Sequence, residues 1–380
     1  MARALILGAG FGGIATAVAL REQLPSTDEV VLVDRRDDFA MGLRKIWAIL
    51  GISPIAYGTR PLAMLERRGI RVVHADVTGI APASRIVNLG GTTLEADALV
   101  LALGASHAIE AIPGLGAHGV NAWERAGVDH AHALVDGFRG GRVVVGIFGS
   151  PYSCPPAPFE LAILLAERFA ARGTQAEVSV FGPAPIPLPI LGVDGCAPIL
   201  ARLDEVGVAY LGGRMASRVT DRSVEFSVAQ PPLAFDLLLA VPPHRVPALV
   251  VGAGLAAADG WLRVDRATLE TNVTGVYGIG DSTGIGLANG MPLPKAGTFA
   301  EREGETVAAR IAAAFRGDPP SATFDGRGAC YMEMGDGEAS VIGGDMYADP
   351  PDVTLSVPSA PQRAGKEQFE MERLARWFDR

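Results

Sequence analysis

The fold of this chain is decided by ALILGAGFGGIATAVALREQ at residues 4–23 and VVLVD at residues 30–34. An apolar strand over Ala4–Leu7 leads into a glycine-rich turn, a helix over Ile14–Glu22 and a second apolar strand over Val30–Asp34. Strand, turn, helix and strand in this order are typical of a βαβ unit. The start of the chain is therefore predicted to open a parallel α/β sheet.

The glycine turn has the spacing Gly8-x-Gly10-x-x-Gly13, which binds a dinucleotide when a strand precedes it and a helix follows it. Gly8 permits the tight turn, Gly10 lets a pyrophosphate approach the backbone, and Gly13 lets helix and strand touch. Asp34 closes the second strand, where an acidic residue accepts ribose hydroxyls. The residues assigned to this part of the site are Gly8, Gly10, Phe11, Gly12, Gly13, Asp34 and Arg35. By itself the motif fits FAD and NAD equally.

A second motif favours FAD. The segment TNVTGVYGIGD at residues 271–281 resembles the second FAD signature of flavoproteins with two dinucleotide-binding domains. The resemblance implies that Asp281, next to Gly280, holds the ribityl chain of FAD. It also implies that the helix starting near Ala296 points its positive N-terminus at the flavin. The apolar stretch DALVLALG at residues 97–104 supplies a buried strand that Gly104 closes.

A second βαβ pattern spans Arg142–Ile147, Phe159–Ala171 and Glu177–Phe181, but its turn departs from the glycine motif. The turn reads GIFGSPYSCPPAPFE at residues 146–160, so prolines stand where backbone N–H groups would hold a pyrophosphate. The following strand ends without a carboxylate for a ribose. We therefore predict that this unit has lost its nicotinamide site. Cys154 stands there beside the helix N-terminus, where the helix dipole is predicted to lower the thiol pKa.

The composition excludes several other classes of protein. The chain has 380 residues, a net charge of −9 from 33 basic and 42 acidic side chains, and 49% hydrophobic residues. Such a chain is predicted to form two or three domains, each large enough to be stable without disulfide bonds or a structural metal ion. Nucleic acids and anionic membranes need clustered positive charge, which the sequence lacks, so we expect a small-molecule substrate and no nucleic acid. The cysteines Cys154, Cys196 and Cys330 have no zinc-binding spacing, and no metal site is predicted.

Three segments together resemble the sulfide:quinone oxidoreductases and the flavoprotein subunit of flavocytochrome c sulfide dehydrogenase. CPPAPFE at residues 154–160 resembles that family's turn with one redox cysteine, and GACYME at residues 328–333 resembles its segment with the partner cysteine. LPKAGTFAE at residues 293–301 resembles its stretch near the flavin and the acceptor. The resemblance implies catalytic roles for Cys154, Cys330, Glu160 and Lys295, with Lys295 also in the cofactor site.

The same resemblance implies an FAD-dependent oxidoreductase. Sulfide, or a similar sulfur nucleophile, would react with the Cys154/Cys330 pair, and the electrons would pass through FAD to a quinone or an electron-carrier protein. Which cysteine takes which part stays open. FAD is expected to be noncovalent, because no cysteine precedes Cys154. Two alternatives stay open as well: an NAD(P)H-dependent flavoprotein reductase and a non-catalytic, FAD-bearing redox sensor.

The predicted fold is α/β, with two tandem Rossmann-like dinucleotide-binding domains and a small C-terminal segment. Residues 1–106 and 247–316 are assigned to the FAD-binding domain, and residues 107–246 to the second, degenerate domain. The Pro-rich Val241–Pro247 is predicted to be the hinge between them. Residues 317–380 form an interface segment that carries Cys330 and ends in an amphipathic helix over Lys366–Phe378. This segment cannot build a core of its own.

The sequence predicts a cytoplasmic protein, with at most a peripheral contact at the inner membrane surface. The first strand starts at Ala4, which leaves no room for a signal peptide, and no stretch of about 18 apolar residues occurs. The apolar positions of the last helix, Met371, Leu374, Ala375 and Phe378, fit packing on the protein's own core as well as on a second subunit or a membrane. A homo-oligomer is therefore one of the open alternatives.

Overall fold

A parallel sheet near the start of the chain carries the glycine turn. The computed structural model describes residues 1–379, and in it the first sheet has five parallel strands. In spatial order they are Val276–Gly278, Ala98–Leu101, Arg3–Leu7, Glu29–Asp34 and Arg71–His74. The first helix, Phe11–Gln23, follows the glycine turn. All four residues of Ala98–Leu101 are buried, as an apolar strand covered on both faces requires.

A second parallel sheet follows. Its strands, in spatial order, are Val120–Asn121, Leu237–Val241, Gly141–Ile147, Ala176–Phe181 and Ala209–Leu211. The helix Ala157–Ala171, called the cysteine helix below, packs on this sheet and begins three residues after Cys154. Two parallel sheets with helices between their strands confirm the predicted α/β class with two Rossmann-like units. The boundaries at residues 106/107 and 246/247 stay a prediction.

The two segments that cross between the sheets pair with each other. Ser106–His107 lies antiparallel to His244–Arg245, which belongs to the predicted hinge. The smaller antiparallel sheets contain the strands Asp38–Ala40 and Thr59–Pro61; Gly79–Ala81, Ile86–Asn88 and Thr93–Glu95; and Ala216–Val219, Ser223–Phe226 and Leu233–Ala234. The remaining helices are Arg44–Ile49, Leu115–His118, Arg125–Gly137, Gly192–Glu205, Ala248–Gly252 and the long helix Gly297–Arg316.

The C-terminal segment packs against both units. Its antiparallel sheet has the strands Arg327–Gly335, Glu338–Asp345 and Asp352–Leu355, and its last element, the C-terminal helix, spans Ala360–Phe378. Trp377 and Phe378 belong to the core of the first sheet, whereas Met332 and Met334 belong to the core of the second. The segment thus completes two cores and has none of its own, as the sequence predicted.

The C-terminal helix differs in two ways from its prediction. It begins at Ala360 rather than Lys366, because Ser359 is extended and a proline fits the first helical turn. Its buried face also differs: Met371 is 62% exposed and Ala375 is exposed. The buried positions are Lys366, Glu370, Leu374, Trp377 and Phe378. The buried stripe therefore includes two charged residues, which apolar periodicity alone does not detect.

The buried face of the C-terminal helix rests on the protein's own aromatic residues. Trp377 meets Phe11 edge to face with ring centroids 5.4 Å apart, and Phe39 at 5.7 Å. Packing on the protein's own core, one of the sequence-based alternatives, is thus observed. No helix within residues 1–379 has both the length and the apolar character needed to cross a bilayer.

Replacing Trp377 with Ala is expected to lower the free energy of unfolding by about 3–5 kcal/mol, because the indole is fully buried. The same change is expected to weaken retention of the cofactor, since Trp377 supports Phe11 at the glycine turn. Urea denaturation and flavin retention on gel filtration measure the two effects. Met371→Ala is the matched control on the exposed face of the same helix, and it should leave both unchanged.

Candidate functional site

A cavity of about 380 Å³ lies where the two sheets and the C-terminal segment meet. Its volume falls in the range of ligand-binding clefts. The sequence-predicted residues that line it are Gly10, Phe11, Gly12, Gly104, Cys154, Glu160, Gly280, Asp281, Lys295 and Cys330. Gly8, Gly13, Asp34 and Arg35 lie outside the lining. The structure therefore brings all four predicted catalytic residues to one cavity, although they come from distant parts of the chain.

The glycine turn is shaped by close backbone contacts. Gly8 has a φ of +102°, and a Cβ at Gly13 would lie 1.8 Å from the Gly8 carbonyl oxygen. A Cβ at Gly8 would lie 2.3 Å from the carbonyl oxygen of Ala102, so neither position accepts a side chain without a shift of the backbone. At Gly10, by contrast, a Cβ would meet nothing within 4 Å. Gly10 is therefore the point of the turn where space is left for a ligand beside a helix N-terminus.

Asp34 holds the turn in place. It is buried, and its carboxylate accepts hydrogen bonds from the backbone N–H of Ala9 at 2.6 Å and of Arg36 at 2.8 Å. Its ribose-binding role stays a prediction. Arg36 rather than the predicted Arg35 lines the cavity, and its guanidinium forms an ion pair with Asp34 at 3.3 Å.

The cavity suits FAD on observations that do not depend on the motifs. The Thr298 hydroxyl, in the first turn of the long helix, is buried, lines the cavity and has no hydrogen-bond partner within residues 1–379. Buried polar groups are paired in most folded proteins, and a ligand in this cavity would supply the partner of Thr298. The space at Gly10 lies at a second helix N-terminus on the same cavity. Asp281 also lines the cavity, and burial raises the pKa of its carboxyl, an effect that Lys295 and Lys45 oppose.

Lys295 is buried because three neighbours replace its water. Its ammonium donates to the carbonyl oxygens of Asp281 at 2.8 Å and Thr283 at 2.9 Å, and it lies 3.6 Å from the ring centroid of Trp261. These contacts explain how a cation is tolerated just ahead of a helix N-terminus, where the helix dipole disfavours positive charge. Burial lowers the pKa of Lys295 to about 8, against the opposing charge of Asp281.

Cys154 lies in a strained turn that other segments hold. Its φ is +56°, in the left-handed region that residues with a Cβ seldom adopt. Its N–H donates to the Lys295 carbonyl at 2.7 Å. The carbonyl of the preceding Ser153 accepts from the Trp123 indole at 2.8 Å, and the Ser153 hydroxyl lies 3.0 Å from His244 Nε2. Strain of this kind persists only where surrounding contacts fix it, and it is concentrated at functional sites.

The predicted lowering of the Cys154 pKa is wrong. Burial raises the pKa of this thiol to about 12, and Cys330 and Glu160 add to the rise, whereas Lys366 and Lys45 oppose it. The helix dipole contributes about 1 kcal/mol, which is smaller than the cost of forming an anion in this half-buried site next to the charge of Glu160. Cys154 is thus a thiol rather than a thiolate in this reduced state at neutral pH.

Cys330 lies on the first strand of the C-terminal sheet, opposite Ile342. Burial raises the pKa of its thiol to about 11, and the charge of Glu160 adds to that rise. All three cysteines within residues 1–379 are free thiols. Cys196 is fully buried in the second core, donates to the Leu188 carbonyl at 3.1 Å and does not line the cavity.

Glu160 belongs to a buried network of charges. One carboxylate oxygen accepts from the Lys366 ammonium, and the other accepts from the backbone N–H of Glu333 at 3.0 Å. Lys366 also donates to Glu333 at 3.0 Å, and Glu333 accepts from the Trp47 indole and from Arg363. Burial raises the pKa of Glu160, whereas the two carboxylates outweigh burial at Lys366 and raise the pKa of its ammonium.

Sequence reasoning missed several residues of the site, above all Lys45 and Lys366. A signal was nevertheless present: the chain has only three lysines, Lys45, Lys295 and Lys366, and its other basic residues are arginines. All three lysines line the cavity. The rarity of lysine in this chain could therefore have pointed to Lys45 and Lys366, which belong to no recognised motif.

Fold and site together define a flavoprotein with two dinucleotide-binding units that share one cavity. The family model described as pyridine nucleotide-disulphide oxidoreductase matches residues 2–304, and the chain belongs to this family. It is accordingly an FAD-dependent oxidoreductase. Among curated proteins, the mitochondrial sulfide:quinone oxidoreductase of Mus musculus is 22% identical over 370 residues, which cover 91% of this chain and 78% of the mouse protein.

Solved structures show the same fold. The sulfide:quinone oxidoreductase of Aquifex aeolicus matches with a TM-score of 0.90 and 20% identity, over 100% of this chain and 92% of that one. An NAD-dependent persulfide reductase from A. fulgidus matches with a TM-score of 0.71 and 18% identity, over 90% of this chain and 64% of that one. The shared fold therefore includes proteins with different electron donors.

The raised pKa of Cys154 predicts the pH dependence of its reactivity. In the anaerobically reduced holoprotein, alkylation of Cys154 by iodoacetamide should be slow at pH 7. It should rise about tenfold for each pH unit between 7 and 9, because only the thiolate reacts. Peptide mass spectrometry after timed quenching measures the rate, and buried Cys196 serves as the unreactive control. A fast rate that does not change over this range would show that the thiol pKa lies below 7.

Proposed function

We propose that the chain oxidises sulfide, or a similar sulfur nucleophile, through Cys154 and Cys330 and passes the electrons through FAD to a quinone or another acceptor. One observation carries the proposal: the two cysteines are far apart in the sequence, yet both line the cavity that the glycine turn also lines. A cavity with two thiols beside a flavin site suits disulfide chemistry. The names of the mouse and Aquifex relatives support sulfide as donor and quinone as acceptor.

The proposed reaction begins with the two cysteines joined as a disulfide. Hydrosulfide attacks one sulfur, a new sulfur–sulfur bond forms to give a cysteine persulfide, and the disulfide breaks to leave the other cysteine as a thiolate. A second hydrosulfide attacks the outer sulfur of the persulfide, forms a sulfur–sulfur bond to give hydrogen disulfide, HS–SH, and breaks the bond to the cysteine, which is left as a second thiolate. The two thiolates then lose two electrons and form the disulfide again. FAD, when bound, supplies the acceptor for these two electrons.

The residues around the cysteines serve these steps. The Glu160 carboxylate is close enough to both thiols to raise their pKa values, and Lys366 and the backbone N–H of Glu333 fix its position. Lys366 and Arg363 together offset the carboxylates of Glu160 and Glu333, so these carboxylates do not repel an anionic substrate. The backbone of Gly10–Gly12 would hold the FAD pyrophosphate, and Asp281 the ribityl chain.

The turn before the cysteine helix argues against a nicotinamide as electron donor. Within residues 154–160, three positions are prolines, and the other backbone N–H groups donate to protein carbonyls. Cys154 donates to Lys295, Ala157 to Cys154, and both Phe159 and Glu160 to Pro156. No N–H group of this stretch is left for a pyrophosphate. An NAD(P)H-dependent reductase is thus the disfavoured alternative.

An anaerobic titration of the holoprotein tests the proposal. Sulfide should bleach the flavin absorbance of the wild type, whereas Cys154→Ser and Cys330→Ser should each lose at least about a hundredfold in rate and keep FAD, because both sulfurs act as one unit. Cys196→Ser is the matched control and should stay within about twofold of the wild type. Bleaching by NADH but not by sulfide would support the reductase, and bleaching by neither would support the redox sensor.

We also propose that FAD is bound without a covalent link. Acid precipitation of the purified protein should release all the flavin into the supernatant, where chromatography should identify FAD. The expectation rests on the first cysteine of the chain being Cys154, which belongs to the redox pair. Yellow colour in the washed pellet would contradict noncovalent binding, and FMN in the supernatant would contradict the ribose role of Asp34.

A further inference from the structure

Lys45 differs from the other two lysines of the cavity in its surroundings. Lys366 is neutralised by Glu160 and Glu333, and Lys295 is held by two carbonyls and an indole ring. The Lys45 ammonium donates to the Trp123 carbonyl at 2.5 Å, and among residues 1–379 no carboxylate forms an ion pair with it. An ammonium has three donors, so two of them are free on the cavity side of the helix Arg44–Ile49.

Lys45 is linked to Cys154 by a short chain of contacts. Trp123, whose carbonyl accepts from Lys45, donates its indole N–H to the carbonyl of Ser153, which directly precedes Cys154. Lys45, Trp123, Ser153 and Cys154 all line the cavity. Lys45 and Cys154 therefore line the same cavity, are close enough to influence each other's pKa, and are connected by groups that are themselves hydrogen-bonded.

Among residues 1–379, the carboxylates near Lys45 lie beyond ion-pair distance of its ammonium. Burial lowers the pKa of Lys45, Cys154 and the carboxylates Asp281 and Glu124 oppose that effect, and Arg36 adds to it. An anion bound directly to a half-buried ammonium that lacks an ion pair offsets the cost of removing it from water. The anion has to be small, because the cysteines and the flavin site share the same cavity.

We propose that Lys45 binds the anionic sulfur substrate, a hydrosulfide or another small soft anion, in front of Cys154. The inference rests on the proposed function, since it names the group that captures the substrate of that site. The ammonium places the anion within reach of the cysteine pair and offsets its charge, and no bond is made or broken in this step.

The test uses thiocyanate, an anionic sulfur probe, on the oxidised holoprotein. In the wild type it should shift the flavin spectrum and compete with sulfide. Lys45→Met should weaken thiocyanate binding and the apparent sulfide affinity at least tenfold, with the limiting rate of flavin reduction changed less than the affinity. Lys45→Arg should restore affinity to within about threefold, because the charge returns. Arg67→Met, which removes a positive charge from an exposed side chain, is the control for net charge.

A second measurement needs no variant. Acetylation by an N-hydroxysuccinimide ester is read at each lysine of the wild type by mass spectrometry, with the 97% exposed Met1 amine as reference. Thiocyanate should protect Lys45 at least fivefold and leave Met1 unchanged. Equal labelling with and without thiocyanate, or unchanged affinity in Lys45→Met, would overturn the proposal. If sulfide fails to reduce the flavin but thiocyanate protects Lys45, the anion site stands and the proposed function fails.

Discussion

The ammonium of Lys366, enclosed between the carboxylates of Glu160 and Glu333, is the interaction on which the arrangement of the site depends. The three residues come from the C-terminal helix, the cysteine helix and the strand that carries Cys330. A buried ion pair adds little net stability, but losing one partner leaves an unpaired charge in the interior and is strongly destabilising. The network therefore selects one way of docking the C-terminal segment, and that docking brings Cys330 to the cavity of Cys154.

Burial, rather than the helix dipole, sets the chemistry of the two cysteines. Both cysteines are half-buried in the cavity, and the raised pKa values of their thiols keep them protonated at neutral pH, so their usefulness lies in the disulfide they can form rather than in a resting thiolate. The lysines of the cavity complement them. The charge of a lysine is compact and its pKa shifts on burial, whereas an arginine stays charged and spreads its charge over a planar guanidinium. In this chain all three lysines line the cavity, and the other Lys/Arg positions are arginines.

The local part of this structure could be predicted from the sequence, and the long-range part could not. The first βαβ unit was predictable because apolar runs and glycine spacing act within about 30 residues. The partnership of Cys154 with Cys330 came from resemblance alone, because no periodicity joins them. The buried face of the C-terminal helix was misassigned at Met371, because the burial of Lys366 depends on two carboxylates far away in the sequence. The pKa of Cys154 was misjudged for a similar reason: a local rule was applied to a site whose solvent exposure is set by the whole fold.

The chain order of the cavity walls bears on how the holoprotein is assembled. The first sheet is complete once Val276–Gly278 has been made, and the cysteine helix is made earlier still, whereas Cys330, Lys366 and Phe369 follow. During synthesis the glycine turn and the start of the long helix thus exist as an open cleft before the last wall arrives. The C-terminal segment is therefore the last wall of the cavity to be synthesised, and it adds residues that include Cys330 and Lys366 to a site whose remaining residues all precede it in the chain. A chain truncated before this segment would keep the glycine turn and Cys154 but would lack the second cysteine of the pair.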